Sequence, residues 1–185
     1  MARALLLCLY VALGVAAAIS AADSPAVTGA ILMGSGAVPG SAAIDMRAGP
    51  FRSEEFKQII EMLGRGAQLH IPTFFNFDED YGYSGAQKQK ELDPYNTWSY
   101  DLASWATLFQ YIPPVPPADN TKPVLYTAGE NDPHFPPEAL DFLASCIGGP
   151  VQKKLFEGSG HQLMLFATEP FSEAVHAFCL ETIKN

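Results

Sequence analysis

The sequence predicts an α/β fold built on a parallel sheet, and three observations carry the prediction. The last third of the chain runs strand, loop, helix and then strand, loop, helix again. Its short apolar runs are bounded by Gly, Pro, Asn and Asp, the residues that end strands and begin turns. Its helical stretches each carry one apolar stripe rather than an apolar surface all round. Composition agrees: 48% of the 185 residues are hydrophobic and 17% charged, the balance of a single globular domain with a core. With 11 basic against 20 acidic residues the net charge is −9, which argues against nucleic acid or anionic membrane surfaces as partners.

The chain divides into residues 1–22 and 23–185. Residues 2–22, ARALLLCLYVALGVAAAISAA, place Arg3 before an apolar run that ends at Ile19, followed by Ser20-Ala21-Ala22. That is the three-part pattern of a secretory signal peptide, which would make the protein secreted. Ala12–Ala22 also suits an apolar helix, ended by Ser24-Pro25, that feeds the next strand. The apolar run is marginal for a bilayer, which takes about 20 residues, so no stable membrane span is expected.

Val27–Met33 (VTGAILM) is a β-branched apolar run closed by Gly34-Ser35-Gly36, a buried strand and its loop. From Ser53 the period becomes helical: Phe56, Ile59, Ile60 and Leu63 share one face, Ser53 is a fitting N-cap, and Gly64 and Gly66 stop the helix. Residues 70–98 are aromatic and polar without a period. A second helical stretch is expected over Tyr100–Tyr111, with Leu102, Trp105, Leu108 and Phe109 on one side, before the extended proline run 113–117. Pro123–Thr127 is a strand and Ala128–Phe135 its loop. Pro137–Ile147 is a helix with Leu140, Phe142, Leu143 and Cys146 inward. Val151–Phe156 is a strand, Glu157–Gln162 its loop, and Phe171–Ile183 a closing amphipathic helix.

Cys8, Cys146 and Cys179 occur singly, which excludes a zinc ribbon or a thioredoxin-type pair. Processing before residue 23 would leave one Cys146–Cys179 disulfide open, although a free thiol is commoner in helical patterns. No H-x-x-x-H or clustered carboxylates stand at ligand spacing, so neither a metal nor a cofactor is expected.

In an open parallel sheet, reactive groups gather at the carboxyl ends of the strands. Both late loops carry a titratable residue there, Asp132 in GENDPHFPPE and His161 in EGSGHQ. One strand–helix–strand passage separates them, which brings both loops to one sheet edge. An aspartate that accepts from one imidazole nitrogen fixes the tautomer and leaves the other nitrogen as a base. Taken alone, Asn131-Asp132-Pro133 is an ordinary turn signature; the Gly-His after a second strand gives Asp132 its catalytic reading.

The stretch KPVLYTAGENDPHFPPEAL resembles the strand, acid loop and helix start near the end of an α/β-hydrolase, and KKLFEGSGHQLM resembles its last strand and Gly-His. Upstream, VTGAILMGSG is similar to the strand after the nucleophile helix, and Ala37–Lys122 takes the place of a mostly helical cap, centred on residues 51–118. The resemblance covers residues 23–183 and implies a partial hydrolase sheet of the last parallel strands, flanked by helices. Position by position it makes Asp132 the acid and His161 the base of an ester-, amide- or related hydrolase, with a small, partly apolar substrate under the cap. It also implies an elbow of the form G-x-S-x-G one helix before Val27, near Cys8–Ala12, with the nucleophile near Tyr10; CLYVA offers none. Neither the early strands nor the oxyanion-hole loop has a counterpart. The chain is therefore expected to be inactive as it stands. The alternative is a secreted, non-catalytic binding protein on half a hydrolase sheet, inclined to self-associate through an exposed strand edge.

Other candidates have plainer readings. His134 is a solvated loop residue, and His70 and His176 are structural. Ser35 and Ser159 each follow a glycine but lack the full elbow pattern, and Ser159 lies too close in sequence to His161 for a relaxed Ser–His pair. The aromatics of 74–83 and 95–105 either line an apolar pocket or pack the cap onto the sheet.

Overall fold

A computed structural model describes residues 5–10, 27–34, 53–63, 66–73, 76–104, 107, 115–133 and 137–184. Its centre is a four-stranded sheet of β1 (Leu5–Tyr10), β2 (Val27–Met33), β5 (Val124–Gly129) and β6 (Val151–Phe156), in that spatial order and parallel throughout. A small antiparallel pair, β3 (Gln68–His70) with β4 (Ser99–Asp101), lies in the insertion between β2 and β5, called the cap only for its place in the sequence. The helices are α1 (Glu54–Leu63), α2 (Phe77–Tyr81), α3 (Ala86–Glu91), α4 (Pro137–Ser145), α5 (Leu163–Phe166) and α6 (Thr168–Lys184).

The period-2 geometry of a strand decides how the sheet is covered. Ala30 and Leu32 of β2, with Val124, Tyr126 and Ala128 of β5, face α4 and pack on Leu140, Leu143 and Ile147. The alternate residues turn the other way. Ile31 and Leu125 meet Phe178, while Met33 and Phe156 meet Leu163, Ala167 and Phe171. Strands buried on both faces read as unbroken apolar runs, as VTGAILM and VLYTAG do. Along α6, Phe171, Phe178 and Thr182 are buried and Ala174 and Val175 packed, the one-sided stripe its sequence predicts.

Several expectations need correction. Leu5–Tyr10 forms a strand paired in parallel with β2; the expected helix Ala12–Ala22, like the rest of 1–22, lies outside the described residues. An uncharged apolar run satisfies leader, helix and strand patterns alike. Tyr100 begins no helix, because Ser99–Asp101 pairs with Gln68–His70; helical residues start at 102. Residues 70–98, without a period, hold α2 and α3, which are too short to show one. Helix α1 has its Ser53 cap, whose Oγ accepts from the Phe56 amide at 3.1 Å, yet none of its residues is buried. Phe142, expected inward, is exposed on α4. As the helical patterns favour, Cys146 and Cys179 are not joined in a disulfide. No helix among the described residues is long and apolar enough to cross a membrane.

Candidate active site

Two loops at the carboxyl ends of β5 and β6 are stitched to each other by backbone hydrogen bonds. Glu130 N donates to Phe156 O at 3.0 Å and Asn131 N to Ser159 O at 2.8 Å. Gly158 N donates to the Glu130 carboxylate at 2.9 Å. The approach is so close that a Cβ on Gly129 would stand 2.2 Å from Gly160 O, inside any allowed contact. Glycine at this strand end is thus what lets the acid loop and the histidine loop touch.

The result is the pair the sequence predicts. His161 Nδ1 and Asp132 Oδ2 are 2.8 Å apart, with the Asp132 side chain fully buried and that of His161 15% exposed. With a carboxylate as partner, Nδ1 carries the proton and donates, which leaves Nε2 as the basic nitrogen. Burial of the ring works against its protonation, but the hydrogen bond and charge of Asp132, joined by the charge of Asp80, outweigh it and hold His161 above its ordinary value. The sign follows: the His161 charge contributes stability below the usual histidine range, and that contribution is lost as pH rises through the raised value.

Three participants escaped sequence reasoning. Gly34, directly after β2, has φ +52°, and a Cβ there would meet the His161 ring at 2.8 Å, so the imidazole rests against bare backbone. Its place at the end of a strand in Gly34-Ser35-Gly36 was a signal. Asp80, on α2 in the cap, is 4% exposed and brings Oδ1 to 3.8 Å from His161 Nε2. Gln162 Nε2 donates to Asp80 Oδ2 at 3.0 Å.

Local sequence explains why α2 sits there. Asn76 caps it, its Oδ1 accepting from the amides of Asp78 and Glu79, and Gly82 ends it in the left-handed conformation. Asp78 on the same turn accepts from Gly85 N and Gln87 N, fastening α2 to α3; those amide donors hold its carboxyl below the usual range. Tyr81 and Tyr83 meet Phe166 of α5 edge to face, with ring centroids 6.4 and 5.9 Å apart. These two aromatics therefore pack the cap onto the helix beside His161. Phe74, Trp105 and His134 lie outside the described residues, as does Ser35.

The remaining described candidates make other contacts or are exposed. Ser159 Oγ donates to Glu157 O at 3.4 Å. His70 Nδ1 lies 3.1 Å from Ser99 Oγ in the cap, and His176 is exposed on α6.

No protein-family model and no curated protein matches the chain. Solved structures do. The monoacylglycerol lipase of Paleococcus ferrophilus superposes with a TM-score of 0.62 at 16% identity, over 97% of this chain and 69% of its own. A thermostable carboxyl esterase from Bacillus coagulans, solved with glycerol, gives 0.63 at 13% identity over 96% and 64%. Est1E of Butyrivibrio proteoclasticus, solved with ferulic acid, gives 0.53 at 19% identity over 94% and 57%. Almost the whole chain thus matches 57–69% of the length of these proteins. The chain shares the α/β-hydrolase fold of these structures over that part of their length.

Proposed function

We propose that Asp132 and His161 form the acid–base half of a hydrolytic site for a small, partly apolar substrate, with a carboxylic ester as the first choice of bond. The observation that carries this is the 2.8 Å contact between His161 Nδ1 and a fully buried carboxylate, which presents Nε2 as a base. The lipase and esterase names of the structural neighbours support an ester over an amide.

A base needs something to activate. The residues that follow β1 in sequence, Val11-Ala12-Leu13-Gly14, bear no hydroxyl, thiol or carboxylate. Oxyanion donors, each worth ~10²–10³ in rate, have no counterpart in the sequence either. On this reading the 185 residues alone turn over no ester. The wild-type chain and its His161→Ala variant are expected to hydrolyse p-nitrophenyl esters at the same background rate, and a clear His161-dependent rate would overturn the assignment of an incomplete site. The pair itself is checked separately: ¹⁵N imidazole shifts of the neutral ring should report a protonated Nδ1 and a bare Nε2. The opposite tautomer would sink the acid–base role.

A further inference from the structure

The His161 ring lies between two carboxylates that come from different layers. Asp132, on the loop after β5, takes Nδ1. Asp80, on α2 of the cap, faces Nε2, the nitrogen that Asp132 leaves for chemistry. Gly34, which lies against the ring, and Gln162, which holds Asp80, are both uncharged.

Burying a carboxylate is unfavourable unless donors or an opposite charge meet it. Asp80 is met by both. Gln162 holds Oδ2, and across 3.8 Å a protonated His161 supplies the positive charge on the Oδ1 side. A neutral ring would instead turn the Nε2 lone pair toward that carboxylate, with no attraction between them. The edge-to-face contacts of Tyr81 and Tyr83 with Phe166 keep α2 at this spot, so the carboxylate is delivered by a packed element and not by a loose side chain.

We propose that Asp80 is a positioning residue of this site: a cap-borne carboxylate that seats the cap on His161 and holds the ring from its Nε2 side. The contact stands on geometry alone, while its bearing on catalysis rests on the role proposed above for His161. Two events are thereby joined. As His161 loses its proton it becomes a competent base, and in the same step it releases its charge contact with the cap. Below the ordinary histidine range the imidazolium keeps the contact; as pH rises through the raised His161 value the contact weakens and α2 opens more readily.

The test is a histidine ring-proton NMR titration of the whole chain as wild type, Asp80→Asn, Asp132→Asn and Gln162→Ala. Asp80→Asn keeps an acceptor for Gln162 but removes the charge, and should lower the His161 midpoint by up to about one pH unit. Amide exchange over α2, followed in the wild type, should quicken as pH passes the His161 midpoint beyond the general base-catalysed increase seen on α6. Should the Asn variant fail to fold, Gln162→Ala, which leaves the charge in place but removes the amide that shares it, carries the same test with a smaller shift in the opposite direction. An unchanged His161 midpoint in a folded variant overturns the proposal. If Asp132→Asn alone lowers the midpoint, the acid–base pair stands and the part assigned to the cap falls. If neither carboxylate moves it, both fall.

Discussion

The sheet and the cap of this molecule are held together by different physics. Both faces of β2 and β5 are sealed by apolar side chains from α4, α5 and α6. In the cap, α1 buries nothing, and α2 and α3 bury one residue each, Asp80 and Ala86. What fixes the cap is directional: an asparagine N-cap, the Asp78 carboxylate on the Gly85 and Gln87 amides at the start of α3, aromatic edges and a carboxylate on His161. Area burial is tolerant and collective, whereas directional contacts fail one at a time. The sheet should therefore melt as a unit, with the cap able to open before it.

Substitutions can break that contrast or sharpen it. Phe178→Ala empties the junction of α6 with Ile31 and Leu125 and should cost about 3–5 kcal/mol by denaturant titration. A loss under about 1 kcal/mol would mean the sheet is not the stable unit. Gly34→Ala puts a Cβ into the His161 ring at a positive φ and should cost about 1–3 kcal/mol while shifting the His161 resonances. Unmoved resonances would show that the ring does not rest on this backbone. Asn76→Ala removes the cap of α2; about 1 kcal/mol is expected in local opening, visible as faster exchange over residues 77–91 with the sheet amides unaffected. Equal acceleration across the sheet would make cap and sheet one cooperative unit. Met62→Ala, at 79% exposed on α1, should stay within about 0.5 kcal/mol of wild type, and a larger loss would reveal burial of α1 in solution.

The same contrast explains what was legible in the sequence. Strands β2, β5 and β6 and the helices between and after them announce themselves by apolar runs and one-sided stripes, and their topology places Asp132 beside His161 before any coordinate is known. Asp80 has no such signal. It lies in a five-residue helix, too short for a period, and its burial is created by docking α2 against α5, a contact 82 residues distant in sequence between Asp80 and Gln162. Leu5–Tyr10 is ambiguous for the opposite reason: its uncharged run fits several patterns, and its parallel pairing with β2 leaves no mark in the sequence.

The cap insertion also shapes how the chain folds. It stands between two strands that are hydrogen-bonded neighbours: Thr127 Oγ1 donates to Leu32 O across 95 positions. By contrast β5 joins β6 through α4 alone, Val124 opposite Val151. Loop-closure entropy grows with the logarithm of length, so the first pairing is disfavoured relative to the second by about 1 kcal/mol. The unit β5–α4–β6–α6 is thus expected to nucleate folding, with β2 added after the transition state. In a chevron experiment Leu140→Ala on α4 should slow folding, whereas Leu32→Ala on β2 should chiefly speed unfolding. The reverse pattern would place the long closure first and make ordering of the cap a prerequisite for the sheet.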